Sequence, residues 1–363
     1  MNFKFNIPLF YLLFFSTTFL LSVLINSIFL NFSTNLGIRK NQNVQIRWNP
    51  EAKPALGGIS FYVIFLITLS FLGITNTVSP EGLVNSKILG VMASVTIAFV
   101  MGLADDAFDT NPLLKFSTQF LCALILILTD NRIHCFSSEF LNYTITVFWI
   151  IGIMNSINML DNMDGITTIV SISIMTLTGI LSIHFDKSLS YIAILDIGIL
   201  GSLCGFLLYN WNPSKLFMGD AGSQFLGIFL GIIGIDYFWN FSSSSFLDDA
   251  LDFSPQINFL LISLVFIIPL SDTISVVINR IRQGRSPFVG GRDHSTHKLF
   301  LFGLSEKKIA LLLFFLSSLA GLLVYFIVTD TRISFNKLCM YSLIPALIFS
   351  FLFVVTTIKK NER

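Results

Sequence analysis

Apolar stretches long enough to cross about 30 Å of hydrocarbon, at about 1.5 Å per helical residue, recur along the entire chain. The pattern predicts helices near 9–30, 58–76, 88–106, 113–129, 143–160, 166–184, 190–209, 222–238, 257–279, 308–328 and 338–358. The apolar signal is weakest over 143–160 and 166–184, where amide and acidic residues intervene. Elsewhere the interruptions are loops carrying Pro, Asn, Asp and Gly, and none holds a separate soluble domain. The expected fold is therefore all-α: one integral membrane domain over 1–363 with 10–11 transmembrane helices. Lys4 ahead of the first run imitates a signal peptide, but the run is long enough to span and many spans follow, so a retained helix is expected.

Composition agrees with that pattern. Hydrophobic residues make up 54% of the 363 and charged ones only 12%, against about a quarter in soluble domains. Mean hydropathy is +0.78. Too few polar groups exist to cover a soluble surface of this size; the net charge of +1 says little by itself, and no nucleic-acid partner is expected. Cys122, Cys135, Cys204 and Cys339 form no CxxC pair, which argues against a zinc site or a disulfide scaffold.

Where the charges fall is more informative than their sum. If the loop holding Arg39, Lys40 and Arg47 is cytoplasmic, sixteen of the 22 lysines and arginines lie on that side. This bias places the N-terminus outside and, with eleven spans, the C-terminus inside. The outer loop around Asp248, Asp249 and Asp252 is acidic.

The unusual polar segments all fall on the inner side. They are Lys53 to Gly58; Gly102 to Asp106, with Asp109 and Lys115 beyond; Asn155 to Gly165; Asn210 to Ser223; and the basic stretch Arg280 to His297. Carboxylates at the mouths of spans need cations or water. Asp105 and Asp106 would point about 100° apart on a helix, whereas Asp161 and Asp164 share one face. Oxygen donors of this kind suit Mg²⁺ or Mn²⁺, which keep waters and also bind phosphate oxygens. Asp220 lies between Gly219 and Ala221-Gly222, where small residues let a phosphate approach the backbone. Taken singly, each feature has a plainer reading: a solvated acid pair, a capping Asn155 or Asn158, a surface His294, a Gly57-Gly58 turn, arginines as topology signals. Their coincidence on one face favours chemistry.

These blocks resemble the polyprenyl-phosphate N-acetylhexosamine-1-phosphate transferase family over about 53–298. The resemblance rests on Pro54-x-x-Gly57-Gly58, Asp105-Asp106, Asn155-x-x-Asn158-x-x-Asp161-x-x-Asp164-Gly165, Met218-Gly219-Asp220-x-Gly222-Ser223 and the basic histidine loop, in that order. It implies transfer of an N-acetylhexosamine-1-phosphate, with GlcNAc-1-phosphate as the default, from a UDP-sugar to undecaprenyl or another polyprenyl phosphate. UMP is released, Mg²⁺ is required, and the enzyme sits in the bacterial inner membrane with its active site on the cytoplasmic face. By the same resemblance, Asp105, Asp106, Asp161, Asp164 and Asp220 are the catalytic carboxylates. Asp220 is the metal ligand, with Asp105 as a second. Lys53, Lys115, Asn155, Asn158, Asn212, Arg282, Arg292, His294 and His297 are substrate contacts. A homodimer is compatible with the sequence, but no residue pattern argues for one.

Two departures bear on the branch. His294 and His297 are spaced by three, unlike the adjacent histidines of the lipid I enzymes, which points toward enzymes that start surface polysaccharides such as O-antigen; lipid I synthesis is the alternative. Arg292-Asp293 reverses the order common in that branch, and the first loop lacks the usual Asp-x-Pro stretch. A transporter would instead place acids at mid-span and repeat its halves, and no such repeat is evident.

Overall fold

The computed structural model describes residues 7–35, 53–75, 85–185, 190–241, 255–287, 291–330 and 335–358. Arg39, Lys40, Arg47, Lys4, Lys187, Arg332, Lys359, Lys360, Arg363 and the acidic group Asp248, Asp249 and Asp252 lie outside them. The described residues form thirteen α-helices: α1 (Ile7–Asn35), α2 (Gly57–Thr75), α3 (Ser86–Phe108), α4 (Pro112–Leu128), α5 (Glu139–Leu160), α6 (Ile166–Phe185) and α7 (Tyr191–Asn210). Then follow α8 (Gly219–Gly234), α9 (Pro255–Val265), α10 (Ile267–Arg282), α11 (Ser295–Leu301), α12 (Glu306–Thr329) and α13 (Phe335–Thr357). The protein is all-α and polytopic. Among the described residues nine helices are long and apolar enough to cross a membrane, or ten if the bent pair α9 and α10 is one span. The 17-residue α4 is a shorter apolar helix.

Two of the expected helices differ in form. The stretch 257–279 is broken at Phe266, and α9 and α10 meet at 83°. Pro269 lies in the first turn of α10. Its missing N–H cannot bond back to the Val265 carbonyl, so a continuous helix would lack a rung there. The stretch 222–238 begins earlier, at Gly219, and ends in a π-helical turn over Ile235–Trp239.

The centre of the bundle is α8, buried along nearly its whole length and packed between α2, α3 and α5. That crowding is made possible by glycine. A Cβ on Gly58 would stand 2.2 Å from the Gly222 nitrogen, and one on Gly102 would stand 2.3 Å from the Asp220 carbonyl oxygen. Both approaches bring the start of α8 against the start of α2 and the end of α3. The extended segment before α2 is tied on by backbone bonds from Phe217 N to Pro54 O and from Gly57 N to Phe217 O, each 3.0 Å. Bulky apolar side chains fill the rest, with Phe61, Phe65, Phe225 and Phe229 fully buried and in ring contact.

Because the helices alternate in direction, α2, α4, α6, α8 and α12 start at the end of the bundle where α3, α5, α7 and α10 finish. The polar segments singled out in the sequence are gathered at that end.

Candidate active site

The C-terminal turn of α3 carries Asp105 and Asp106, and the two carboxylates do different things. Asp105 faces α4. Its Oδ2 accepts from Lys115 Nζ at 2.8 Å, and its Oδ1 accepts from the Thr110 backbone N–H and hydroxyl. Asp106 faces α8, where its two oxygens accept the backbone N–H groups of Asp220 and Ala221, each at 2.9 Å. The residue preceding α8 is Met218, which has no side-chain oxygen to cap the helix. Asp106 supplies that acceptor from a neighbouring helix, a favourable place for negative charge.

Held there, Asp220 projects toward Lys115, whose ammonium lies 3.0 Å from its Oδ1. The Asn158 amide donates to the same oxygen at 2.6 Å and to Ser223 Oγ at 2.8 Å, while its carbonyl oxygen lies 3.3 Å from Lys115 Nζ. Four helices thus contribute one residue each to a cluster of Asp105, Lys115, Asn158 and Asp220. Lys115 reaches it because Pro112 and the Asn111 cap fix the start of α4, and Asn111 Oδ1 accepts from the Leu113 N–H. Behind this cluster Asn155 donates to Gln119, which in turn donates to Gln224 at 3.1 Å.

A second cluster surrounds Asp164, which is buried. It accepts from the Ser214 N–H at 2.9 Å, the Ser214 hydroxyl at 2.8 Å and the Asn212 amide at 3.2 Å. Lys53 Nζ lies 3.9 Å away and donates to Ser214. Asn212 also donates to Glu306 at the start of α12. Gly165, at φ +74°, makes the turn between α5 and α6 in a conformation costly for other residues.

The third cluster belongs to the basic loop. Arg280 grips Asp293 through Nε at 2.8 Å and Nη2 at 2.6 Å. Burial alone would raise the Asp293 carboxyl, but this fork outweighs it and holds the group below the usual carboxylate range. His294 Nδ1 lies 2.7 Å from Asp272 of α10. His297 is buried beside it, and burial, with the nearby His294 and Arg292, pushes its pKa down to about 4.

A cavity of about 740 Å³ joins the three clusters, lined among others by Asp105, Lys115, Asn155, Asn158, Asp161, Asp164, Asp220, Arg280, His294 and His297. Asp106, Lys53 and Asn212 do not line it. Arg282 lies over the Phe353 ring at 5.4 Å, away from the cavity, and Arg292 lines a separate one near the end of α13. Gln119, Asp272 and Gln224 were not singled out by the sequence, because each is a polar residue inside an apolar run whose partner is far away in the chain. One acid lies away from the span ends that the sequence drew attention to. Asp196 lies fully buried within α7, accepting from Thr178.

Among the described residues, no three His, Cys, Asp or Glu side chains converge as a metal-binding group. Two carboxylates that line the cavity, Asp105 and Asp220, meet on Lys115. A set of this size is the kind that holds hydrated Mg²⁺ together with phosphate oxygens, rather than a closed protein cage.

Comparison with known proteins adds to this geometry. Residues 88–238, which carry α3 to α8 and most of the cavity, match the model described as Glycosyl transferase family 4. The chain is 27% identical over 271 residues to a protein of Bacillus subtilis (strain 168) named "Probable undecaprenyl-phosphate N-acetylglucosaminyl 1-phosphate transferase", covering 72% of this chain and 69% of that one. It is 28% identical over 286 residues to the "Decaprenyl-phosphate N-acetylglucosaminephosphotransferase" of Mycobacterium leprae (strain TN), covering 72% and 70%. A "Phospho-N-acetylmuramoyl-pentapeptide-transferase" of Staphylococcus haemolyticus (strain JCSC1435) is 27% identical over 308 residues, covering 78% and 88%. The matched residues 88–238 thus carry the similarity to glycosyl transferase family 4, and they bring Asp105, Asn158 and Asp220 to one cavity at one end of a membrane bundle.

Proposed function

We propose that this multi-pass protein of the bacterial inner membrane transfers N-acetylhexosamine-1-phosphate, with GlcNAc-1-phosphate as the preferred group, from a UDP-sugar to a polyprenyl phosphate. The observation that carries the reading is the convergence of Asp105, Lys115, Asn158 and Asp220 on one cavity at the end of a lipid-spanning bundle. The bundle makes eleven passes, counting α4 and the bent α9–α10 pair. Its N-terminus is outside and its cavity opens to the cytoplasm, as the excess of lysine and arginine on that side supports.

The reaction joins two anions. An oxygen of the lipid phosphate forms a bond to the sugar-bearing phosphorus of the donor, the bridging P–O bond breaks, and UMP leaves with the electron pair. The acceptor is already largely deprotonated near neutral pH, so alignment and charge neutralisation matter more than a strong base. Lys115 and Arg280 bring positive charge to the cavity, and His294 and His297 bring ring nitrogens. Asp105 orients Lys115, and Asn158 orients Asp220. Asp220, with Asp105, would hold Mg²⁺, which when bound neutralises charge on the diphosphate.

The pentapeptide-transferring relatives supply the competing reading, lipid I synthesis. The spacing of His294 and His297 favours the surface-polysaccharide branch. A donor panel with purified protein, polyprenyl phosphate and Mg²⁺, read as UMP release, separates the two. Release with UDP-GlcNAc or another simple UDP-N-acetylhexosamine is expected. Release only with UDP-MurNAc-pentapeptide would assign lipid I synthesis, and no release with any donor from folded protein would overturn the enzyme reading.

A further inference from the structure

Asp272 is a buried acid to which the reaction above gives no role. It is 1% exposed and lies on α10, six residues after the break at Phe266. Both of its oxygens are committed to the histidine loop. Oδ1 accepts the Ser295 backbone N–H at 2.8 Å and the Ser295 hydroxyl at 2.6 Å, which fixes the first residue of α11. Oδ2 lies 2.7 Å from Nδ1 of His294. A carboxylate is an acceptor only, so the hydrogen between them sits on Nδ1 and the ring's other nitrogen, Nε2, is the one left for the cavity that His294 lines. The loop is also pinned from the other side, since Thr296 donates to Asn162 at 2.6 Å, within the Asn155–Gly165 block.

We infer that Asp272 is a positioning residue that acts through His294: it sets the imidazole's tautomer and aim so that Nε2 addresses the phosphoryl or sugar oxygens of the donor. The inference rests on the transferase reading. Asp272 itself touches no substrate. The arrangement is that of a carboxylate orienting a working imidazole, in which an amide of the same shape holds the ring with the wrong nitrogen protonated. Asp272→Asn keeps an oxygen for Ser295 but presents an N–H to His294 Nδ1, which moves the ring hydrogen to Nε2.

A double-mutant cycle tests this with the full-length protein in detergent, using the UDP-N-acetylhexosamine that the wild type turns over. Asp272→Asn is expected to lower kcat at least tenfold, leave KM for polyprenyl phosphate within about twofold, and cost less than about twofold more in a His294→Ala background. A loss in that background as large as in the wild type would overturn the inference, as would unchanged kcat. Ser295→Ala keeps the test decisive if Asp272→Asn does not fold. It removes only the hydroxyl contact to Oδ1, and turnover within about threefold of wild type is expected. A loss matching that of His294→Ala would place the weight of Asp272 on anchoring α11 and overturn the inference. Wild-type protein inactive with every donor would sink the transferase reading instead, a result distinct from any of these.

Discussion

At the scale of single residues, Lys115 is the hinge of the site. Two carboxylates from different helices lie within 3.0 Å of one ammonium, in a region where unpaired charge is costly. Lys115→Met keeps the length of the stem and removes the charge, leaving Asp105 and Asp220 facing each other. Turnover is expected to fall by roughly 10²-fold, the scale on which a single charge-stabilising group contributes. Steady-state UMP release checks it, and activity within threefold of wild type would remove Lys115 from the chemistry. The acids, the lysine and Asn158 were legible in the sequence because polar residues at the mouths of apolar runs stand out. Gln119, Gln224 and Asp272 were not, because a polar residue within a run reads as a minor interruption until its partner across the bundle is known. Residue type also said nothing of division of labour: Asp105 and Asp106 look alike on paper and face different helices in space.

At the scale of elements, the start of α8 decides where Asp220 points, and it is secured from outside its own sequence. The Gly58 and Gly102 contacts let neighbouring backbones close around it, and Asp106 caps it. Asp106→Ala is expected to lower stability by about 0.5–2 kcal/mol, the range for losing a helix cap, and Asp106→Asn, which retains one acceptor oxygen, by less. Thermal unfolding in detergent reads both, and an unchanged Tm for the alanine variant would sink the capping role. Hydrophobic periodicity located the spans but not their bends. It ran smoothly through 257–279 because Phe266 and Pro269 are both apolar, while the backbone is discontinuous there. The π-helical turn after α8 was hidden for the same reason, since an extra residue in a turn leaves hydropathy unchanged.

At the scale of the whole molecule, the alternation of helix directions matches the charge asymmetry of the loops. Ser86, at the start of α3, and Lys307, at the start of α12, then face opposite compartments. In a background with the four cysteines replaced by serine, Ser86→Cys is expected to react with a membrane-impermeant maleimide on intact cells, and Lys307→Cys only after lysis. Labelling of both from one side would overturn the eleven-pass arrangement. Membrane class and family blocks were evident from the sequence. That four of the five blocks meet in a single cavity was not, since contacts between residues a hundred positions apart depend on how the helices are packed.

The grip of Asp106 on α8 has a practical consequence for anyone surveying this chain by saturation mutagenesis. Scored by growth or product alone, positions 105 and 106 would give the same blank column, one through a missing partner for Lys115 and the other through a misaimed Asp220. Intolerance to substitution would therefore mark both as reactive groups. Only the second should regain signal when the culture is cooled or a stabilising change is added elsewhere, which makes conditional rescue the way to tell a chemist from its scaffolding.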